Sequence, residues 1–250
     1  MKKLLIIILF LLPSSAFAAA TYDTSKAGAT ACGSACTTSL TLTGVVVGAS
    51  DTLVTVVLST RIGCTATDVT GVTVALGGTS ITSYLVGDAN TSIYATGGCT
   101  HGRYLYLHNP PTGTLNLVIS WTGSAAAAAV IRCYSSAHMG VTSQVNGSGN
   151  FSQSITITAS DILEGAVAND DTVVTMGQSN ATAAADANFV GVGGNTNTGS
   201  GSVTVSGLNP AAPDRFVFMA TTILSGAPTA YTAPTKTLIF GAQLRGASVH

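Results

Sequence analysis

Charge is what this sequence has least of. Only 8% of its 250 residues are Asp, Glu, Lys or Arg, against roughly 25% in an average soluble domain. Setting aside Lys2 and Lys3 at the N-terminus leaves 7 basic residues against 10 acidic ones. No basic stripe of the kind that binds nucleic acid or an anionic membrane can be assembled from so few. Glutamate occurs once, at Glu164, which excludes the paired glutamates used by many glycoside hydrolases. Nucleophile elbow, phosphate-binding loop and dinucleotide fingerprint are all missing. A capped 3.6-residue apolar stripe is missing as well, so helices are not expected. The absences point away from catalysis, and no cofactor is expected.

Metal ligands are equally sparse. Cys99, His101 and His108, with Asp88 as a fourth, follow no established zinc spacing. Asp68, Asp88, Asp170 and Asp171 are loop carboxylates that a calcium ion would need, but no D-x-D-x-D run gathers them. Solvated turn aspartates and surface histidines account for both sets, and no metal site is expected.

The first eighteen residues have the form of a leader. Lys2 and Lys3 precede an apolar run from Leu4 to Leu12, and Ala16-Phe17-Ala18 supplies small residues before a cleavage point. That layout predicts a signal peptide, residues 1–18, and a mature chain starting at Ala19. No later stretch has the length and continuity of a membrane span, so membrane insertion of the mature chain is not expected.

What the chain has in abundance is alternation. Strand-like runs recur at short intervals from Leu40 to Gln243, separated by Gly, Asn, Asp, Ser or Pro. Many short strands with turn signals between them predict an all-β fold, a β-sandwich of jelly-roll or concanavalin-like type. Residues 19–38 read as an irregular segment and 39–250 as a single sandwich domain. Ala125–Ala129 leads into Val130-Ile131-Arg132-Cys133-Tyr134 and reads as a strand of small side chains that admits a neighbouring layer closely. Gly191–Ser202 reads as a loop inside the domain.

The clearest local pattern is Tyr104–Trp121. Leu105 and Leu107 alternate with Tyr104 and Tyr106; Leu115, Leu117, Ile119 and Trp121 alternate with Asn116, Val118 and Ser120. Pro110, Pro111 and Gly113 mark the connection. A hairpin is expected, with Leu107 opposite Leu115 and Leu105 opposite Leu117. It buries the Leu/Ile/Trp set on one face and leaves Tyr104, Tyr106, Asn116 and Ser120 on the other.

The segment from Gly71 to Thr82, GVTVALGGTSIT, resembles the V-T-x-x-G-G-x-x-L-T stretch of a diffuse family of exported or phage-borne all-β proteins with no assigned activity. Leu107, Pro110, Gly113, Thr114 and Leu117-Val118 match its following L-x-x-P-x-x-G-T-x-x-V. The strands at 161–168 and 237–242 fall where that family places them. The resemblance implies a jelly-roll-like sandwich and transfers no catalytic residue, and the five cysteines depart from the family pattern.

In an exported chain those cysteines are expected to cross-link. Cys32 with Cys36 and Cys64 with Cys99 form the preferred set, leaving Cys133 free in an apolar strand. Two functions are compatible with the sequence. One is a surface or extracellular structural or adhesion protein, with self-association as a partner mode. The other is a carbohydrate-binding module in which Tyr104 and Tyr106 stack on surface glycans beside Asn116 and Ser120. A secreted or periplasmic location is expected in either case.

Overall fold

The computed structural model describes residues 18–30, 37–62, 67–94, 100–170, 175–178, 180–186, 190–208 and 215–226. Seventeen strands account for most of them, and no helix occurs among the described residues. The first part of the chain forms β1 (Thr21–Thr30), β2 (Thr37–Val47), β3 (Asp51–Arg61), β4 (Thr70–Leu76), β5 (Thr79–Ser80), β6 (Ser83–Val86), β7 (Ile93–Tyr94), β8 (His101–His108) and β9 (Gly113–Ser135). The second forms β10 (Ala137–Ser148), β11 (Phe151–Ile157), β12 (Ile162–Asn169), β13 (Thr175–Met176), β14 (Thr182–Asp186), β15 (Val190–Thr198), β16 (Gly201–Leu208) and β17 (Arg215–Ser225). The protein is all-β, as its alternation predicts.

β9 organises the first nine strands. Its opening half, up to Ala125, pairs with β2 and β4, and from Ala126 onward it pairs with β3 and β1. Between the halves, Gly123 adopts a φ of 97°, a left-handed conformation that glycine takes without a Cβ penalty. The nine-stranded sheet thereby curls onto itself and makes two layers, an outer leaf (β2, β4, β5 and early β9) and a back leaf (β1, late β9, β3, β8, β6, β7). Leu40, Leu42, Val54, Val56, Leu58, Val74, Leu105, Leu117, Ile119 and Trp121 fill the space between.

β10 to β17 build a second pair of layers. A five-stranded sheet runs β10-β17-β12-β15-β14 and a three-stranded one runs β11-β16-β13. Phe151, Leu163, Val167, Val205, Phe216 and Phe218 make the core between them. The back leaf and the five-stranded sheet then face each other across a third core that includes Leu53, Val57, Tyr104, Tyr106, Val130, Ile162, Met219 and Ile223. The result is four stacked layers, two sandwiches joined back to back. β3 is therefore buried on both faces, and its near-continuous apolar run reflects that position.

Three sequence expectations need correcting. The Tyr104–Trp121 stretch is not a hairpin, because β3 lies between β8 and β9 and pairs with both. Val54 faces Leu107 on one side and Cys133 on the other. The faces are nonetheless as the alternation implies: Leu105, Leu117, Ile119 and Trp121 share one core, meeting across the sandwich instead of along a ladder. Within the expected irregular segment, Thr21–Thr30 is strand β1, held by pairing with the buried alanines of β9. Within the expected loop 191–202, residues 191–198 belong to strand β15 and residues 201–202 begin strand β16.

Candidate functional site

Tyr104 and Tyr106 do not form a platform. Both face the core between the two sandwiches, with relative exposures of 0% and 5%. The Tyr104 hydroxyl donates to the Val217 carbonyl at 2.6 Å, and burial pushes its pKa far above the ordinary phenol value. The Tyr106 ring meets His108 edge-on, with centroids 5.5 Å apart. Asn116 is exposed and Ser120 half-exposed on the outer leaf, a full layer away from the tyrosines. The four residues grouped by alternation are not brought together. The alternation gave the correct side of each strand but not that a second sandwich covers the tyrosine side.

The metal candidates are dispersed too. His101 and His108 stand at opposite ends of β8, seven residues and about 23 Å apart in an extended strand. His101 Nδ1 lies 2.9 Å from the Ser92 hydroxyl. Asp88 accepts from the amides of Asn90 and Thr91 at 2.8 and 2.6 Å, and hydrogen bonds from Thr91 and Asn90 hold its pKa below the usual carboxylate range. Asp68 binds the buried Arg103 guanidinium at 2.6 Å and accepts from the Thr60 hydroxyl at 2.7 Å. Asp170 caps the amide of Arg215. These carboxylates are occupied by the chain itself. Asp171, Cys32, Cys36, Cys64 and Cys99 lie outside the described residues. Cys133 is a free, buried thiol that burial pushes up to about 12, which rules out a nucleophilic thiolate near neutral pH.

Two features escape the sequence reading. The first is a buried ion pair between the sandwiches. Arg132 on β9 and Glu164 on β12 are both fully buried, with Nε and Oε1 3.8 Å apart. Arg132 Nε donates to the Tyr134 hydroxyl at 3.1 Å, and Nη1 donates to the carbonyls of Gly194 (2.9 Å) and Asn180 (3.2 Å). Its guanidinium also sits 4.3 Å from the Tyr22 ring centroid. Glu164 Oε1 accepts from the Thr55 hydroxyl at 2.8 Å. Burial raises the Glu164 pKa, a shift that Arg132 and the Thr55 hydrogen bond oppose. The pair is closed off from solvent and links β9 of one sandwich to β12 of the other.

The second feature is the pair of outermost faces. On the three-stranded sheet, Ser152, Ser154 and Thr156 of β11 stand opposite Ser206, Thr204 and Ser202 of β16. Ser154 and Thr204 are hydrogen-bonded through their hydroxyls at 2.6 Å. The outer leaf at the other end of the stack shows Thr41, Thr73, Asn116, Val118 and Thr122, and its four strands contain no charged residue. The β11 and β16 sequences, FSQSITI and GSVTVSG, carry the signal as hydroxyls alternating with apolar residues, and that signal shows only once the two strands are paired. No family model matches the chain, and no curated protein does.

Proposed function

We propose that the protein is an exported, non-catalytic β-sandwich that works as an extracellular structural or adhesion element and associates with copies of itself through its outermost sheet faces. One observation carries this reading. Among the described residues, both end faces of the four-layer stack are uncharged and carry hydroxyls, with Val46 and Val118 also exposed on the outer leaf. A face without charge avoids the desolvation cost that a Lys- or Glu-rich surface incurs when covered. Regularly spaced hydroxyls can exchange water for a partner's hydroxyls with little net loss. Export rests on the leader-like pattern of residues 1–18, and the absence of a nucleophile, base or cofactor motif supports a role by contact.

Sedimentation of the mature protein over a wide concentration range tests the reading. Reversible association that persists at high salt is expected, since charge pairs contribute little to such a contact. Ser154→Lys together with Thr204→Lys should weaken it through like-charge repulsion while leaving the fold intact. A chain that stays monomeric at every concentration overturns the proposal. The same material on a glycan array addresses the carbohydrate alternative, which loses its support with the burial of Tyr104 and Tyr106.

A further inference from the structure

Among the described residues the chain passes from the first sandwich to the second once, at Ser136, between β9 and β10. Ser136 has a φ of 51°, in the left-handed region that side chains disfavour. Asn109, with a φ of 49°, is the other described non-glycine residue of positive φ. Both lie at the same end of the stack, and Thr52 connects them. The Asn109 amide donates to the Thr52 carbonyl at 2.8 Å. The Thr52 hydroxyl donates to the Ala137 carbonyl at 2.8 Å and accepts from the Ala137 amide at 2.7 Å. The Gly226 amide closes the group by donating to the Ser136 carbonyl at 2.9 Å. Unfavourable backbone of this kind persists only while the surrounding bonds hold it.

This end of the junction carries two histidines, one from each sandwich. His108 precedes Asn109 on β8 and is the register partner of Leu53. His138 follows Ala137 on β10, with Nδ1 3.4 Å from the Gly226 carbonyl oxygen. Both are half-buried, and the Tyr106 ring meets His108 edge-on from the middle core. The carboxylates at this end are engaged by other donors. Asp51, with Asp23 of β1 beside it over Gly48, accepts from the Gly48 amide at 2.7 Å and the Ser135 hydroxyl at 3.0 Å. Asp161 accepts from the Thr158 hydroxyl at 2.7 Å and the Ser225 amide at 2.9 Å. Burial holds the His108 pKa below the ordinary histidine value, and His138 lowers it further. A histidine shifted this way binds fewer protons folded than unfolded. Its contribution to stability is full above the ordinary value of about 6.5 and is lost as pH falls through it.

We propose that this end of the junction is an acid-sensitive hinge, in which charging His108 and His138 sets two like charges beside the crossing and parts the sandwiches locally about Ser136. The bonds from Thr52 to Asn109 and Ala137 break, while the remainder of the middle core, with the Arg132–Glu164 pair, stays closed. Opening presents Tyr106, Ala137 and Met139, which the closed junction buries. The protein thereby gains an apolar surface that appears only in acid.

Amide hydrogen exchange on the full mature chain, compared at about pH 7.5 and about pH 5 after correction for intrinsic rates, tests the inference. Protection of the Asn109, Ala137 and Gly226 amides should fall severalfold in acid, while amides of β2 and early β9 in the outer leaf keep theirs. His108→Gln with His138→Gln should remove the pH dependence, and Glu164→Gln should leave it in place. Where the double variant does not fold, ring-proton NMR titration of the unsubstituted chain decides. His108 should titrate below about 6.5, in step with the loss of protection. Equal protection at the two pH values overturns the proposal. So does a loss that survives the double variant, which assigns the effect to the carboxylates Asp51 and Asp161. A His108 that titrates at or above the ordinary value overturns it too. A fall shared equally by the outer leaf is global unfolding and counts against the hinge in the same way.

Discussion

Glu164 combines full burial with an ion pair that is close but not a hydrogen bond. Its folded-state pKa is therefore raised above the ordinary value of about 4.3. A carboxyl raised in this way binds more protons folded than unfolded, so its contribution to stability is full at low pH and is lost as pH rises through the raised value. Glu164→Gln cannot ionise. The variant should be close to the unsubstituted protein near pH 4 and gain on it toward pH 8, as read by urea denaturation at the two pH values. A difference that grows toward acid would contradict the assignment. Tyr104 makes a separate case, since its hydroxyl donates to the Val217 carbonyl and has no access to water. Tyr104→Phe should cost about 0.5–1.5 kcal/mol by removing the buried hydrogen bond to the Val217 carbonyl. None of this was legible in the sequence. Arg132 and Glu164 are far apart along the chain, and alternation places Arg132 opposite Ile131 and Cys133 on a side that would face solvent in a lone sandwich.

At the scale of elements, the period-two pattern assigned faces well and partners poorly. Leu105 and Leu117 do share a core, yet β3 separates their strands from any common ladder. Alternation is a property of one strand, whereas pairing depends on which strands are brought alongside, and a non-local insertion such as β3 leaves no local trace. β15 shows the converse failure. Its glycines read as a loop, but at Gly194 the Arg132 side chain lies across the strand. A Cβ added at Gly194 would stand 2.8 Å from Arg132 Cδ. Gly194→Ala should therefore displace the guanidinium from the Gly194 and Asn180 carbonyls and destabilise the protein by about 1–3 kcal/mol. Thermal unfolding checks it, and an unchanged midpoint would show that the strand yields instead. The β3 and β8 ends bear on the cysteines. Thr60 and His101 are register partners, so the segments carrying Cys64 and Cys99 start from one end of one strand pair. A Cys64–Cys99 bridge, closing about 35 residues, is expected to contribute about 3–4 kcal/mol. Non-reducing peptide mapping that finds either thiol free or paired elsewhere refutes it.

The whole molecule accounts for the composition. Four layers bury three sheet interfaces, while the two outermost faces carry hydroxyls, so few positions remain where charge is needed. The middle interface decides how the halves behave. It includes Tyr104, Met219, Ile162 and Ile223 together with the Arg132–Glu164 pair, and neither sandwich can lose it without exposing fully buried side chains. Unfolding one sandwich would strip the back of the other and expose its apolar side chains to water. The two sandwiches should therefore unfold in a single cooperative transition, with calorimetric and van't Hoff enthalpies equal. Truncating the shared core with Tyr104→Ala and Met219→Ala should lower the midpoint sharply, each change costing about 2–5 kcal/mol, and should split the transition in two if the sandwiches retain enough core to stand apart. Two resolved transitions in the unsubstituted protein would mean that the middle core is a contact between independent domains, and the four-layer unit would have to be given up.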